Sequence, residues 1–105
     1  MAKRVNEAQF EELVMKAELP VLLDFYSDTC VPCKKLNGPL GDIEDDNEGK
    51  LLVYKVNVNY EESLAKRYAV ASVPTLVLIK DGKELARSTG AIGYDEIDAL
   101  IEKNM

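Results

Sequence analysis

The stretch VLLDFYSDTCVPC, Val21 to Cys33, decides how the chain is read. Val21 to Tyr26 is almost continuously apolar, with no polar alternation. That is the pattern of a central strand buried on both faces. Ser27, Asp28 and Thr29 are polar and suit the cap of a helix that starts at about Cys30. Pro32 then falls in the first helical turn, where its missing N–H costs nothing. A buried strand therefore delivers two cysteines, spaced Cys-x-x-Cys, to a helix N-terminus. Asp24 interrupts the apolar run, and a carboxyl buried there is expected to titrate high.

Working outward, Lys3 to Val5 can form a short strand, and Asn6 caps a helix over residues 7–16 that Pro20 ends. Phe10, Leu13, Val14 and Ala17 share one face of it at 3.6-residue spacing. The helix after Cys30 turns Leu36, Leu40 and Ile43 inward, and Pro39 predicts a kink. The acidic run Glu44 to Gly49 ends it. A third strand spans residues 51–58, and a short helix spans 61–68. A fourth strand spans 75–79, with hairpin chemistry at Lys80-Asp81-Gly82-Lys83 and an antiparallel return over 84–89. A last amphipathic helix, 94–103, buries Ile97, Leu100 and Ile101. This order predicts an α/β fold, a mixed sheet of about five strands with four helices on its two faces. Strands joined through helices are expected to pair in parallel.

One domain accounts for all 105 residues. A net charge of −6 disfavours nucleic acid and anionic membrane surfaces as partners. The longest uncharged run, Tyr68 to Ile79, has twelve residues, too few to span a bilayer. No secretory leader shows near Met1, so a cytoplasmic address is expected. In that reducing compartment a permanent disulfide is disfavoured and a transient catalytic one is expected.

Histidine is absent and there are only two cysteines. Four-ligand structural zinc is therefore out of reach for one chain. A staple across so short a loop stabilises by only about 2 kcal/mol. The redox reading fits better: the helix N-terminus favours a Cys30 thiolate. Cys33, one turn inward, is positioned to attack a sulfur bonded to Cys30. With no imidazole available, Asp24 is the candidate base, and Lys55 on the neighbouring strand is its candidate partner.

Over essentially its whole length the chain resembles the thioredoxin family. The resemblance rests on Asp24-Phe25, the block Cys30-Val31-Pro32-Cys33-Lys34, Pro39, and Lys55-Val56-Asn57-Val58. It continues through Tyr68, Val73-Pro74-Thr75, Lys80-Asp81-Gly82 and Gly90-Ala91. It implies a general protein-disulfide reductase that carries electrons on its own dithiol, without a metal or other cofactor. Cys30 would attack, Cys33 would resolve and Asp24 would assist Cys33. The resemblance further implies a cis Val73-Pro74 bond facing the dithiol. Thr29, Val31, Pro32, Val58, Val73, Pro74, Gly90 and Ala91 would then form the substrate-docking surface. The implied partners of this monomer are disulfide-containing proteins and a flavoenzyme of the thioredoxin-reductase type. Two departures stand out. Tyr26 and Asp28-Thr29 occupy a stretch where the family carries Trp, and Val31 replaces its usual Gly. A non-catalytic binding subunit and a disulfide oxidase or isomerase are the competing readings.

Overall fold

The computed structural model describes residues 2–105. Five strands form one sheet: β1 (Lys3–Arg4), β2 (Val21–Tyr26), β3 (Leu52–Asn57), β4 (Thr75–Lys80) and β5 (Lys83–Thr89). Four helices accompany them: α1 (Glu7–Phe10), α2 (Val31–Asp46), α3 (Glu62–Arg67) and α4 (Tyr94–Asn104). The strand order is β1-β3-β2-β4-β5, which puts β2 at the centre. All six of its residues are buried, Asp24 included, as the almost continuously apolar run led one to expect.

β1 and β2 both run parallel to β3, but β4 runs antiparallel to β2. The expectation of parallel pairing through every helix therefore fails at β4. Length explains it. The six residues of α3 rise about 9 Å, while a six-residue strand spans about 20 Å. The residues after α3 fold back on it instead of running on, with the Ala69 and Val70 N–H groups donating to Lys66 and Ala65 C=O, so the chain re-enters from the end at which it left. The β4–β5 turn behaves as expected: Asp81 and Gly82 both take positive φ, 53° and 77°, which suits a tight two-residue hairpin.

Two apolar clusters sandwich the sheet. On one face Val21, Leu23, Phe25, Val56, Val77 and Ile79 meet Phe10, Val14, Leu64 and Tyr68 from the α1/α3 side. On the other, Leu22, Val53, Leu76 and Leu78 meet Leu36, Leu40 and Ile43 of α2 and Ile97 and Ile101 of α4. Leu100, expected in this core, is only half buried; Ile97 and Ile101 form the seam.

α1 is capped by Asn6, whose side chain accepts from the Gln9 N–H at 2.9 Å, while Gln9 caps in return. The chain then widens into a π-helical turn, Glu11–Met15, closed by Lys16 N–H donating to Glu11 C=O at 2.9 Å. A uniform α-helix over 7–16 was expected. α2 runs through Pro39 and three residues into the acidic run. Its buried positions Cys33, Leu36, Leu40 and Ile43 form one stripe against the sheet.

Candidate active site

β2 ends at Tyr26, and the bend through Ser27, Asp28 and Thr29 turns the chain into α2. Cys30 is the N-cap of α2, with extended φ and ψ of −90° and 109°. Its sulfur accepts from the Cys33 N–H at 3.1 Å, so a backbone donor at the helix end already points at this atom. Cys30 and Cys33 are joined by a disulfide, with Cα atoms 5.2 Å apart. The two sulfurs differ in setting. Cys33 is 3% exposed and faces the sheet. Cys30 is half exposed, flanked by the open positions Thr29, Val31 and Pro32.

Asp24 lies on the face of β2 that α2 and α4 cover, in step with Leu22 and Tyr26. It is wholly buried, and neither carboxylate oxygen has a hydrogen-bond partner among the described residues. This excludes an edge position facing solvent. Burial pushes its pKa up to about 6, against the opposing pull of the Lys55 charge. Lys55 is its register neighbour on β3. Its ammonium, however, donates to Asn37 Oδ1 at 3.0 Å and lies 4.3 Å from the centre of the Tyr26 ring. Lys55 thus acts on Asp24 through its field, without a direct ion pair.

The Val73-Pro74 peptide is cis. It directly precedes Thr75, which pairs with Phe25, so it lies at the end of the sheet from which β2 runs on to Cys30. Two hydrogen bonds fix the turn: Thr75 Oγ1 to Ser72 C=O at 2.7 Å and Gly90 N–H to Pro74 C=O at 2.8 Å. Gly90 has φ of 101°, a conformation that favours glycine there. Among the described residues nothing bonds the Val73 N–H or C=O. Val73 and Gly90 are half exposed, Ala91 is exposed and Pro74 is buried. Val58 is turned elsewhere: its N–H donates to Tyr26 C=O at 2.9 Å and its side chain packs on the α1/α3 cluster.

Sequence reasoning missed Tyr26 and Asn57 as site residues. Each lies two positions from Asp24 or Lys55 along its strand and so shares their face. Both are buried, and both hold a polar atom without a partner: the Tyr26 hydroxyl and the Asn57 amide nitrogen. Period-two counting from Asp24 and Lys55 would have found them. Arg4 and Asn37, which approach Lys55 from β1 and α2, left no such signal.

Among the described residues no group of three or more His, Cys, Asp or Glu could hold a metal ion. No described helix is long and apolar enough to cross a membrane.

The thioredoxin family model matches residues 1–103. The chain is 37% identical to thioredoxin of Pseudomonas aeruginosa, an alignment covering 96% of this chain and 94% of that protein. Thioredoxin of Rickettsia bellii is 35% identical, covering 97% and 94%. That of Haemophilus influenzae is 33% identical, covering 96% and 94%. A helix-capping disulfide, a cis-proline turn at the same end of the sheet and similarity along nearly the whole chain lead to one conclusion: the chain belongs to the thioredoxin family and is a thiol–disulfide oxidoreductase of the protein-disulfide-reductase type.

Proposed function

We propose that the protein reduces disulfides in other proteins by cycling between the Cys30/Cys33 dithiol and the bridge. The Cys30 thiolate attacks a substrate disulfide, forms a mixed disulfide and expels one substrate thiolate. Cys33 gives its proton to the Asp24 carboxylate and attacks the Cys30 sulfur. The second substrate thiolate leaves, and the Cys30–Cys33 bond carries away the two-electron oxidation. Asp24 suits the proton step because burial holds its pKa at about 6, so near neutral pH it is ionised yet basic for a carboxylate. The helix N-terminus stabilises the Cys30 thiolate.

Thr29, Val31, Pro32, Val73, Pro74, Gly90 and Ala91 form the docking surface in this reading, with Val58 behind it. The unbonded Val73 peptide groups would pair with an extended substrate segment. A flavoenzyme of the thioredoxin-reductase type returns electrons to the bridge. The protein works as a cytoplasmic monomer with no cofactor besides its own disulfide.

The observation that carries this reading is the unequal burial of the two cysteines at one helix end. Cys33→Ser is expected to accumulate a mixed disulfide on Cys30 when the reduced protein meets a disulfide substrate. Cys30→Ser is expected to trap nothing and to lose turnover. Mass spectrometry of the trapped species checks both, and a Cys33→Ser protein with normal turnover refutes the division of roles.

A further inference from the structure

The acidic chain carries a cationic cavity against its dithiol. A cavity of about 170 Å³ touches Cys33 and is walled by Arg4, Tyr26, Asp28, Lys34 and Lys55 among others. Three cations from β1, α2 and β3 face it, against one exposed acid, Asp28. The other acid that acts on Lys55 is Asp24, buried beneath. Among the described residues none of the three cations is in an ion pair; the Lys55 ammonium bonds the neutral Asn37 side chain. Arg4 and Lys55 lie over the same Tyr26 ring, at 5.9 and 4.3 Å from its centre. Tyr26 is 5% exposed, and its hydroxyl has no hydrogen-bond partner among the described residues. Arg4 and Lys55, gathered on one ring, repel each other, offset only in part by Asp28 and the buried Asp24, and an anion entering the cavity relieves that.

Size selects the anion. The cavity is smaller than the roughly 300–1,000 Å³ of pockets that enclose a drug-sized ligand, and it suits one side chain. We propose that it seats the carboxylate of an acidic residue flanking the target disulfide in a protein substrate. Arg4, Lys34 and Lys55 would select for that residue. The inference rests on Cys30 and Cys33 being the reacting pair. It runs against the charge of the whole molecule: at −6, long-range steering would favour cationic substrates.

The test uses the reduced full-length protein and three bridged peptides that differ only in a Glu, Gln or Lys beside the disulfide, tried on either side. The reading is the second-order rate at which each peptide oxidises the dithiol. At 0.01 M salt the Glu peptide is expected to lead the Lys peptide by about fivefold on at least one side, the upper range for an exposed ion pair. At 1 M salt, where screening falls to about 3 Å, the lead should collapse. Arg4→Gln should at least halve the Glu-to-Lys ratio, and Arg4→Lys should preserve it. Equal rates for the three peptides, a Lys peptide in the lead, or a Glu preference untouched by Arg4→Gln would each overturn the proposal. No reaction with any peptide would instead refute Cys30 and Cys33 as the reacting pair, and the proposal with them.

Discussion

The two faces of β2 carry opposite assignments. Val21, Leu23 and Phe25 point to the α1/α3 side, where every neighbour in the cluster is apolar or aromatic. Phe25 and Phe10 each lie 5.8 Å from the Tyr68 ring, centre to centre, and tilted. Leu22, Asp24 and Tyr26 point to the α2/α4 side. Only Leu22 there joins an apolar cluster; Asp24 and Tyr26 hold buried polar atoms without partners. One six-residue strand thus stabilises the fold with alternate residues and stores an unfavourable burial with the others. Buried polar groups left unpaired cost stability, so the dithiol end of this face is held in place by packing elsewhere.

The largest expected effect lies on the apolar face. Phe25→Ala removes a fully buried ring and should cost about 3–5 kcal/mol in denaturant unfolding. A loss under about 1 kcal/mol would show that this face does not carry the stability assigned to it.

Asp24→Asn should act in the opposite direction. In the unfolded chain Asp24 ionises near 3.8; in the fold it does so at about 6. Between those values the folded state binds more proton than the unfolded one, so stability falls as pH rises through the window and is level above it. The loss is about 3 kcal/mol. The amide variant has no such loss. It should unfold like wild type near pH 3.5 and at about 3 kcal/mol higher free energy at pH 8, while reducing disulfides more slowly. A pH-independent difference between the two unfolding curves would break the contrast between the faces.

That contrast was half legible in the sequence. A nearly continuous apolar run reads as buried on both sides, so β2, its central position and a buried Asp24 were expected from Val21 to Tyr26, against the alternative of an Asp facing solvent at a sheet edge. The polar Ser27 to Thr29 and the first-turn Pro32 placed the helix start, and with it the two cysteines, although the cap proves to be Cys30 itself and not one of the three polar residues. What the sequence hid needed a third dimension. The reversal of β4 depended on how far six helical residues reach. The π-helical turn after Phe10 has no composition of its own, since it moves hydrogen bonds without changing which residues are apolar. The cavity joins Arg4, Lys34 and Lys55 from elements that only the β1-β3-β2 order brings together. Val58 looked like a surface neighbour of the dithiol, but strand alternation sends its side chain to the apolar face.

The smallest expected effect concerns the helix that serves both functions. α2 supplies the apolar stripe Leu36, Leu40 and Ile43 and also presents Cys30 and Cys33, yet it contains Gly38, Pro39 and Gly41. Gly38 is exposed, and a Cβ added there would meet no atom of another element within 4 Å. Its φ lies outside the left-handed region, but the Pro39 ring that follows disfavours the helical conformation for a residue with a Cβ and trims the gain. Gly38→Ala should therefore stabilise by about 0.5 kcal/mol, because alanine has less backbone freedom to lose. For a domain of this size that raises Tm by about 2–4 °C. Gly49 is the control: it is equally uncrowded but has φ of 81°, so Gly49→Ala should lower Tm. If Gly38→Ala raises Tm and leaves the Cys33→Ser trapping rate unchanged, the glycine is only a local weakness of α2. If the same substitution slows trapping, flexibility five residues beyond Cys33 is part of how the dithiol meets its substrate, and the division of labour extends from the faces of β2 into α2.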